Sequence, residues 1–296
     1  EANSQKTANY SSELMQPLSV FLKENKFGDA FVNWYLLPML GCIWSCPTEQ
    51  MLAFPVATMV RFCHNHGLLQ VNNRPQWWTV KGGAKHYVEK IVSSIQNKHL
   101  STPVQQVKRL DNGQVQVVTT QSEPIFDAVV LATHSDQSLK LLAQASTQEQ
   151  SILGAIQYQD NIAVLHKDES VMPSKKIAWS AWNYDQSDVA KNAKDNRVCL
   201  HYWLNLLQPL PSNENIFVSL NPNKAIQAEC VIQQFEYAHP VFDVAAIEAQ
   251  SKVPEIQGQG AVYYAGAWMG YGFHEDGLKA GISAAKKIIT DFSLQG

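Results

Sequence analysis

The stretch YYAGAWMGYGFHEDGLKAGISAAKKI, Tyr263 to Ile288, constrains this chain more than any other. An apolar strand runs into a loop carrying Gly266, Gly270 and Gly272, and then into a helix that opens near Gly277. Glycines let a backbone approach a ligand closely because no side chain intervenes. The free N–H groups and positive dipole end of the following helix favour a phosphate or an electron-rich carbonyl. Gly277, Gly281 and Ala284 or Ala285 share one side of that helix, which permits tight contact with a sheet or a cofactor. Spacing leaves two readings open: one wall of a nucleotide-cofactor site, or an ordinary glycine-rich corner between strand and helix.

Before this point the chain changes character twice. Helical spacing over 12–24 and 28–40, then CPTEQMLAFPVATMVRFCHNHG with its break at Pro55 and stop near Gly67, predicts a mostly helical first 70 or so residues. PQWWTVKGGAKHYVEKIVSSI predicts a short strand ending near Lys81, a Gly82-Gly83 turn, and a helix with Tyr87, Val88, Ile91, Val92 and Ile95 in one stripe. Asn112-Gly113 marks a hairpin, IFDAVVLAT a strand covered on both faces, and His134-Ser135-Asp136 the cap of a helix starting near Gln137. From Tyr158 to Phe235, successive strand-like runs predict an antiparallel sheet of about five strands. Residues 238–257 read as a connector with a short helix.

Charged residues make up 17% of the 296 residues and the formal net charge is −3, so nothing basic points to nucleic acid and the expected partner is a small molecule. Cys42, Cys46, Cys63, Cys199 and Cys230 are odd in number and contain no CxxC pair, which argues against a disulfide framework and against a zinc site. Cys42 and Cys46 read as packing residues, no metal is expected, and a reducing cytoplasm is the simplest compartment. The apolar run Phe31 to Trp44 is shorter than the ~20 residues of a membrane span and is broken by Pro38, so it predicts a buried helix beside a ligand cavity. The opening EANSQKTANYSSEL has no signal-peptide pattern and reads as the middle of something.

The last 35 or so residues resemble the C-terminal FAD motif of the flavin amine oxidase and phytoene desaturase superfamily. WWTVKGGAKHYVEKI is similar to its Gly-Gly-helix segment, and TPVQQV with FDAVVLAT to the strands that pass the adenosine half of FAD. HSDQSL, SAWNY, HYWLNLLQPL, VSLNP, HPVFD and YGFHEDGLKAG together resemble a bacterial branch of predicted NAD/FAD-binding proteins associated with cyclopropane-fatty-acid synthases. The resemblance implies an α/β (α+β) fold: an incomplete FAD/NAD(P)-binding Rossmann-like domain with an inserted substrate domain of helices and an antiparallel sheet. It also implies roles. Val104 would contact the adenine, Ala132 and Thr133 would lie near the dinucleotide, and Gly266, Ala267 and Trp268 would meet the pyrophosphate or ribityl chain. Asp276, Gly277 and Leu278 would present the helix N-terminus to the flavin pyrimidine edge.

Three departures stand out. Trp268 replaces a polar or acidic residue of the amine oxidases, and their active-site lysine has no counterpart, which puts amine oxidation in doubt. GxGxxG, which should follow the first strand and hold the pyrophosphate, is absent from the chain. The expectation is therefore a fragment of an FAD-dependent oxidoreductase, with weak or no FAD binding by these residues alone. Residues 76–135 and 258–296 would belong to the FAD domain, and 1–75 and 136–257 to the substrate domain.

His274 and Glu275, beside Asp276, read either as an acid–base group over the flavin or as a loop capping the final helix. His64, His66, His201 and His239 read as structural. Trp34, Tyr35, Trp44, Trp179, Trp182, Tyr184, Tyr202 and Trp203 are either plain core or the lining of an apolar tunnel. The substrate expected is small and apolar or acyl, as the resemblance implies, with peripheral lipid contact and association with a fatty-acid-modifying enzyme as further expectations. The rivals are a non-catalytic scaffold of lipid modification and a flavin-dependent isomerase or desaturase.

Overall fold

A computed structural model describes residues 16–186 and 198–293. The start of the helix expected over 12–24 lies outside the described residues. The chain forms two compact units, Glu1–Ser94 with Gln159–His239 and Ile95–Tyr158 with Pro240–Gly296. These boundaries depart from the expected ones in both directions: 76–94 falls in the first unit, and 136–158 with 240–257 falls in the second. The cause is packing. Leu142, Ile152, Leu153, Ile156, Ala246, Ala249, Val253 and Ile256 share a core with Val115, Leu131, Val262 and Tyr264.

In the first unit, helices α1 (Leu18–Glu24), α2 (Asp29–Phe31), α3 (Leu37–Trp44), α4 (Thr48–Met51), α5 (Val56–Asn65) and α6 (Lys85–Ser93) precede the sheet. A π-helical stretch, Val32–Leu36, joins α2 to α3. The buried helix expected over Phe31 to Trp44 is therefore buried only in its second half. Leu37, Leu40, Cys42 and Trp44 are inside, whereas Trp34 is 78% exposed. No strand forms at 76–80; that stretch is exposed and has no ladder partner. The α6 stripe is also exposed along its length. Strands β5 (Tyr158–His166), β6 (Trp182–Asp185), β7 (Cys199–Trp203), β8 (Phe217–Leu220) and β9 (Val231–Pro240) make a five-stranded sheet in the order β6-β7-β8-β5-β9. Its β6–β7, β7–β8 and β8–β5 pairs are antiparallel, and the short helix α9 (Leu204–Leu207) follows β7.

In the second unit, β1 (Val104–Arg109) and β2 (Val115–Thr119) form the Asn112-Gly113 hairpin, where Gly113 takes φ +84° and Asn112 Oδ1 accepts from Gln114 N–H at 3.0 Å. The IFDAVVLAT run divides at Asp127. Its first part, β3 (Ile125–Phe126), joins β2 antiparallel, and its second part, β4 (Val129–Leu131), pairs parallel with β10 (Val262–Tyr264). It is not covered on both faces among the described residues, since Val130 is 41% exposed.

Helix α7 (Ser135–Leu141) starts two residues earlier than expected, with His134 at its cap. Helix α8 (Thr147–Gly154) starts from a Ser146/Glu149 capping box. The expected short connector helix is α10 (Val244–Ile256), 13 residues long; Asp243 Oδ1 caps Ala246 N–H at 2.8 Å, and its buried stripe sustains the length. Helix α11 (His274–Ser293) closes the unit. Among the described residues no helix is long and apolar enough to cross a membrane.

Candidate functional site

The carboxyl ends of β4 and β10 lie side by side, tied by Ala265 N–H to Leu131 O at 3.1 Å. Ligands of open α/β sheets bind at this end of parallel strands. Ala132 and Thr133 leave β4 there, and Gly266, Ala267 and Trp268 leave β10. Trp268 is buried in the core, and its Nε1 donates to Thr133 O at 3.0 Å, locking the two strand ends together. That lock sets the neighbouring residue: a Cβ on Gly266 would sit 2.4 Å from Trp268 Nε1. Trp268 thus acts here as a brace under the site.

The loop is held from two further directions. Gln250 Nε2 donates to the carbonyls of Trp268 (2.8 Å) and Gly270 (2.7 Å). Asp276 Oδ2 accepts from the N–H groups of Tyr271 (3.1 Å) and Phe273 (3.0 Å), and its carboxylate lies where a Gly270 Cβ would be. The Asp276 and Gly277 N–H groups are themselves given to Phe273 O, at 3.0 and 3.2 Å. The donors expected to face a flavin are therefore spent inside the loop, and Leu278, 56% exposed, presents an apolar side chain beside them.

Gly277 differs from Gly266 and Gly270. A Cβ there would meet nothing nearer than Ala267 N at 3.9 Å, and one on Gly281 would meet nothing within 4 Å. The chain's own packing has no need of glycine at either place, so the open surface is what a close-lying ligand would require. Glu275 is exposed and paired with Lys279 one turn on at 3.5 Å, a solvated helix-face pair, and His274 is likewise exposed. The helix-face reading describes them better than an acid–base group. Val104 begins β1, in the sheet with β2 and β3, beside a bulge between Val104 and Gln106.

A cavity of about 690 Å³ in this unit lies at the other, amino end of β10, lined by Gly260, Ala261, Asp127 and Lys287. Sequence reasoning missed the polar cluster beneath the site. Glu149, fully buried, pairs with Arg109 and accepts from Tyr264 OH at 2.5 Å and Ser146 N–H at 2.8 Å. Burial pushes its pKa up, but the hydrogen bonds from Tyr264, Ser146 and Arg109 outweigh that and hold it below the usual carboxylate value. The Ser146-x-x-Glu149 spacing could have placed Glu149 at a helix start, though not its partners 40 and 115 residues away.

No family model and no curated protein matches the chain. Solved structures do. A CLA-producing fatty acid isomerase from P. acnes is 17% identical with a TM-score of 0.63, over 95% of this chain and 67% of that one. Cyclohexylamine oxidase from Brevibacterium oxydans IH-35A is 13% identical with a TM-score of 0.62, over 97% and 70%. Reduced UDP-galactopyranose mutase is 12% identical with a TM-score of 0.59, over 96% and 70%. The fold is the mixed α/β fold that these structures share. The β4–β10 pair is parallel, and the β6–β7, β7–β8 and β8–β5 pairs of the five-stranded sheet are antiparallel.

Proposed function

We propose that this chain is the greater part of an FAD-dependent oxidoreductase and that the cofactor lies over the carboxyl ends of β4 and β10. One observation carries the reading: parallel strand ends braced by Trp268 run into a helix whose Gly277 and Gly281 leave room that the protein itself does not use. Ala132, Thr133, Gly266 and Ala267 would hold the dinucleotide, and the α11 end would set a positive field beside the flavin ring. When bound, FAD supplies hydride acceptance from a C–H or C–N bond, and the protein positions the substrate against it.

The reading includes a further parallel strand beside β4, from a dinucleotide-binding unit outside these 296 residues. Gln257 seals the outer edge of β10 by pairing with both Tyr264 N–H (2.8 Å) and Tyr264 O (2.7 Å). The outer edge of β4 has no strand partner among the described residues, and two-stranded sheets are marginal by themselves. An apolar, acyl-type substrate, peripheral lipid contact and association with a fatty-acid-modifying enzyme go with this reading, supported by the aromatic supply of the first unit. The fold neighbour that isomerises a fatty acid favours a second reading, flavin-dependent isomerisation of an acyl chain.

FAD titrated against these 296 residues should bind weakly or not at all, and submicromolar affinity would overturn the need for a further unit. The intact protein reconstituted with FAD should show flavin absorbance near ~450 nm, and its absence would sink the oxidoreductase reading. Incubation with unsaturated fatty acids then separates oxidation from isomerisation by product analysis.

A further inference from the structure

In the first unit, the two-residue period of a strand places Cys199 and His201 on the same face of β7, and the β6–β7 register sets Asp185 directly opposite Cys199. His201 Nε2 lies 3.6 Å from Cys199 Sγ and 3.8 Å from Asp185 Oδ2, and the three donor atoms all fall within 4.8 Å of one another. We propose that Asp185, Cys199 and His201 form a binding site for a borderline-soft divalent cation, zinc above all.

The spacing suits it. Tetrahedral zinc with sulfur at about 2.3 Å and nitrogen at about 2.05 Å separates those two ligands by roughly 3.5 Å. The thiolate, imidazole and carboxylate donors match zinc better than a hard cation such as magnesium, which prefers oxygen.

The surroundings orient the ligands. His201 Nδ1 lies 2.6 Å from Ser219 Oγ, which lies 2.7 Å from His166 Nε2. His166 Nδ1 accepts from Asp168 N–H at 3.1 Å, so the neutral ring carries its proton on Nε2 and donates to Ser219. With Nε2 of His201 given to a cation, its Nδ1–H donates to the other lone pair of Ser219 Oγ, the outer-shell partner that metal-bound histidines generally have. The Asn223 N–H also donates to the Cys199 sulfur.

Three protein ligands leave a fourth position. Asp185 and His201 line a cavity of about 680 Å³, with Asn183, Tyr184, Glu169 and Lys224 around it. This is the arrangement of a zinc that keeps a water or a small ligand. A nucleophilic role for Cys199 fits less well, since burial pushes its thiol up to about 12 and keeps it protonated, whereas a bound cation would displace that proton. Lys224 opposes the cation, because its charge also acts on Asp185.

Cobalt(II) added to the metal-stripped chain is the probe. One cobalt per chain with a thiolate charge-transfer band, displaced by zinc, is expected. Cys199→Ser should abolish the band. Asp185→Asn, at the cavity edge and least disruptive to packing, should weaken zinc ~10-fold or more. Lys224→Gln should tighten it, and Cys230→Ser should change nothing. Absence of the band in the parent chain, a band that survives Cys199→Ser, or zinc affinity unmoved by Asp185→Asn would each overturn the site. If Cys199→Ser fails to fold by circular dichroism, the Asp185→Asn comparison decides.

Discussion

The two units solve the same problem, a polar network inside a small sheet, with opposite chemistry. The first buries two imidazoles bridged by a hydroxyl, His166–Ser219–His201, at the centre of a sheet whose β6–β7, β7–β8 and β8–β5 pairs run antiparallel. The second buries a charged pair, Arg109 and Glu149, reinforced by Tyr264, beneath a two-stranded parallel sheet. Neutral groups are cheap to desolvate and become a liability only when protonated. A buried ion pair is costly to desolvate and becomes a liability when either partner is lost. The two halves should therefore fail under different insults.

The largest separation should come from Glu149→Gln, which leaves Arg109 facing a neutral amide. A loss of about 3 kcal/mol is expected, at the low end for a broken buried pair because Arg109 keeps some water. Hydrogen exchange should show amides around Leu131 and Val262 opening while those around Leu200 and Phe217 hold; equal opening in both would erase the contrast.

Acid should reverse the order. Burial, helped by the nearby His201 and opposed by Asp168, pushes the His166 pKa down to about 4 from an ordinary 6.5. In that window the unfolded chain takes the proton and the folded chain refuses it, so the contribution is full above pH 6.5 and falls as pH drops towards 4. The expected loss is roughly 2–3 kcal/mol in the first unit. Glu149, whose folded pKa is depressed, keeps its contribution above its ordinary 4.5 and loses it only below. Protection factors, corrected for the slower intrinsic exchange in acid and followed from pH 7 to 4 in metal-free protein, should fall first in the β7–β8 strands, and His166→Gln should flatten that response.

Gly266→Ala and Gly277→Ala form a smaller contrast inside the second unit. The first forces Trp268 off its hydrogen bond and should cost about 1–3 kcal/mol. The second should leave melting unchanged or raised by about 0.5–1 kcal/mol, a helix-propensity gain, while weakening flavin retention in the intact protein. Retained flavin would move the cofactor away from α11. Smallest of all, Asp276→Ala should cost on the order of 1 kcal/mol by releasing the Tyr271 and Phe273 N–H groups; near-ultraviolet circular dichroism of the Trp268 region would register it.

What could be read in the sequence was local. The strand, glycine loop and helix of Tyr263–Ile288 could be recognised because every element of it is contiguous, and the strands from Tyr158 to Phe235 alternate clearly enough to count. Period alone could not say that Phe31–Trp44 would be half surface, since exposure depends on what packs against a helix and not on its residues. The extended run before Gly82 had strand composition but no neighbour to pair with. The Arg109–Glu149–Tyr264 cluster was hidden by separation along the chain. The Asp185, Cys199 and His201 grouping was hidden by geometry: no CxxC spacing reveals ligands that meet across a β ladder. Trp268 and Asp276 were singled out, but not what they hold, because Trp268 reaches across to the end of β4 and Asp276 turns back on its own loop.

Helix α11 packs inside out. Its buried positions are Ala280 and Ala284, while Leu278, Ile282, Ile289 and Phe292 are 40–66% exposed. A net charge of −3 gives little mutual repulsion to offset such a surface. In a concentrated solution of these residues that face should favour helix-to-helix contact, so light scattering should rise with concentration and with sulfate, which strengthens apolar burial.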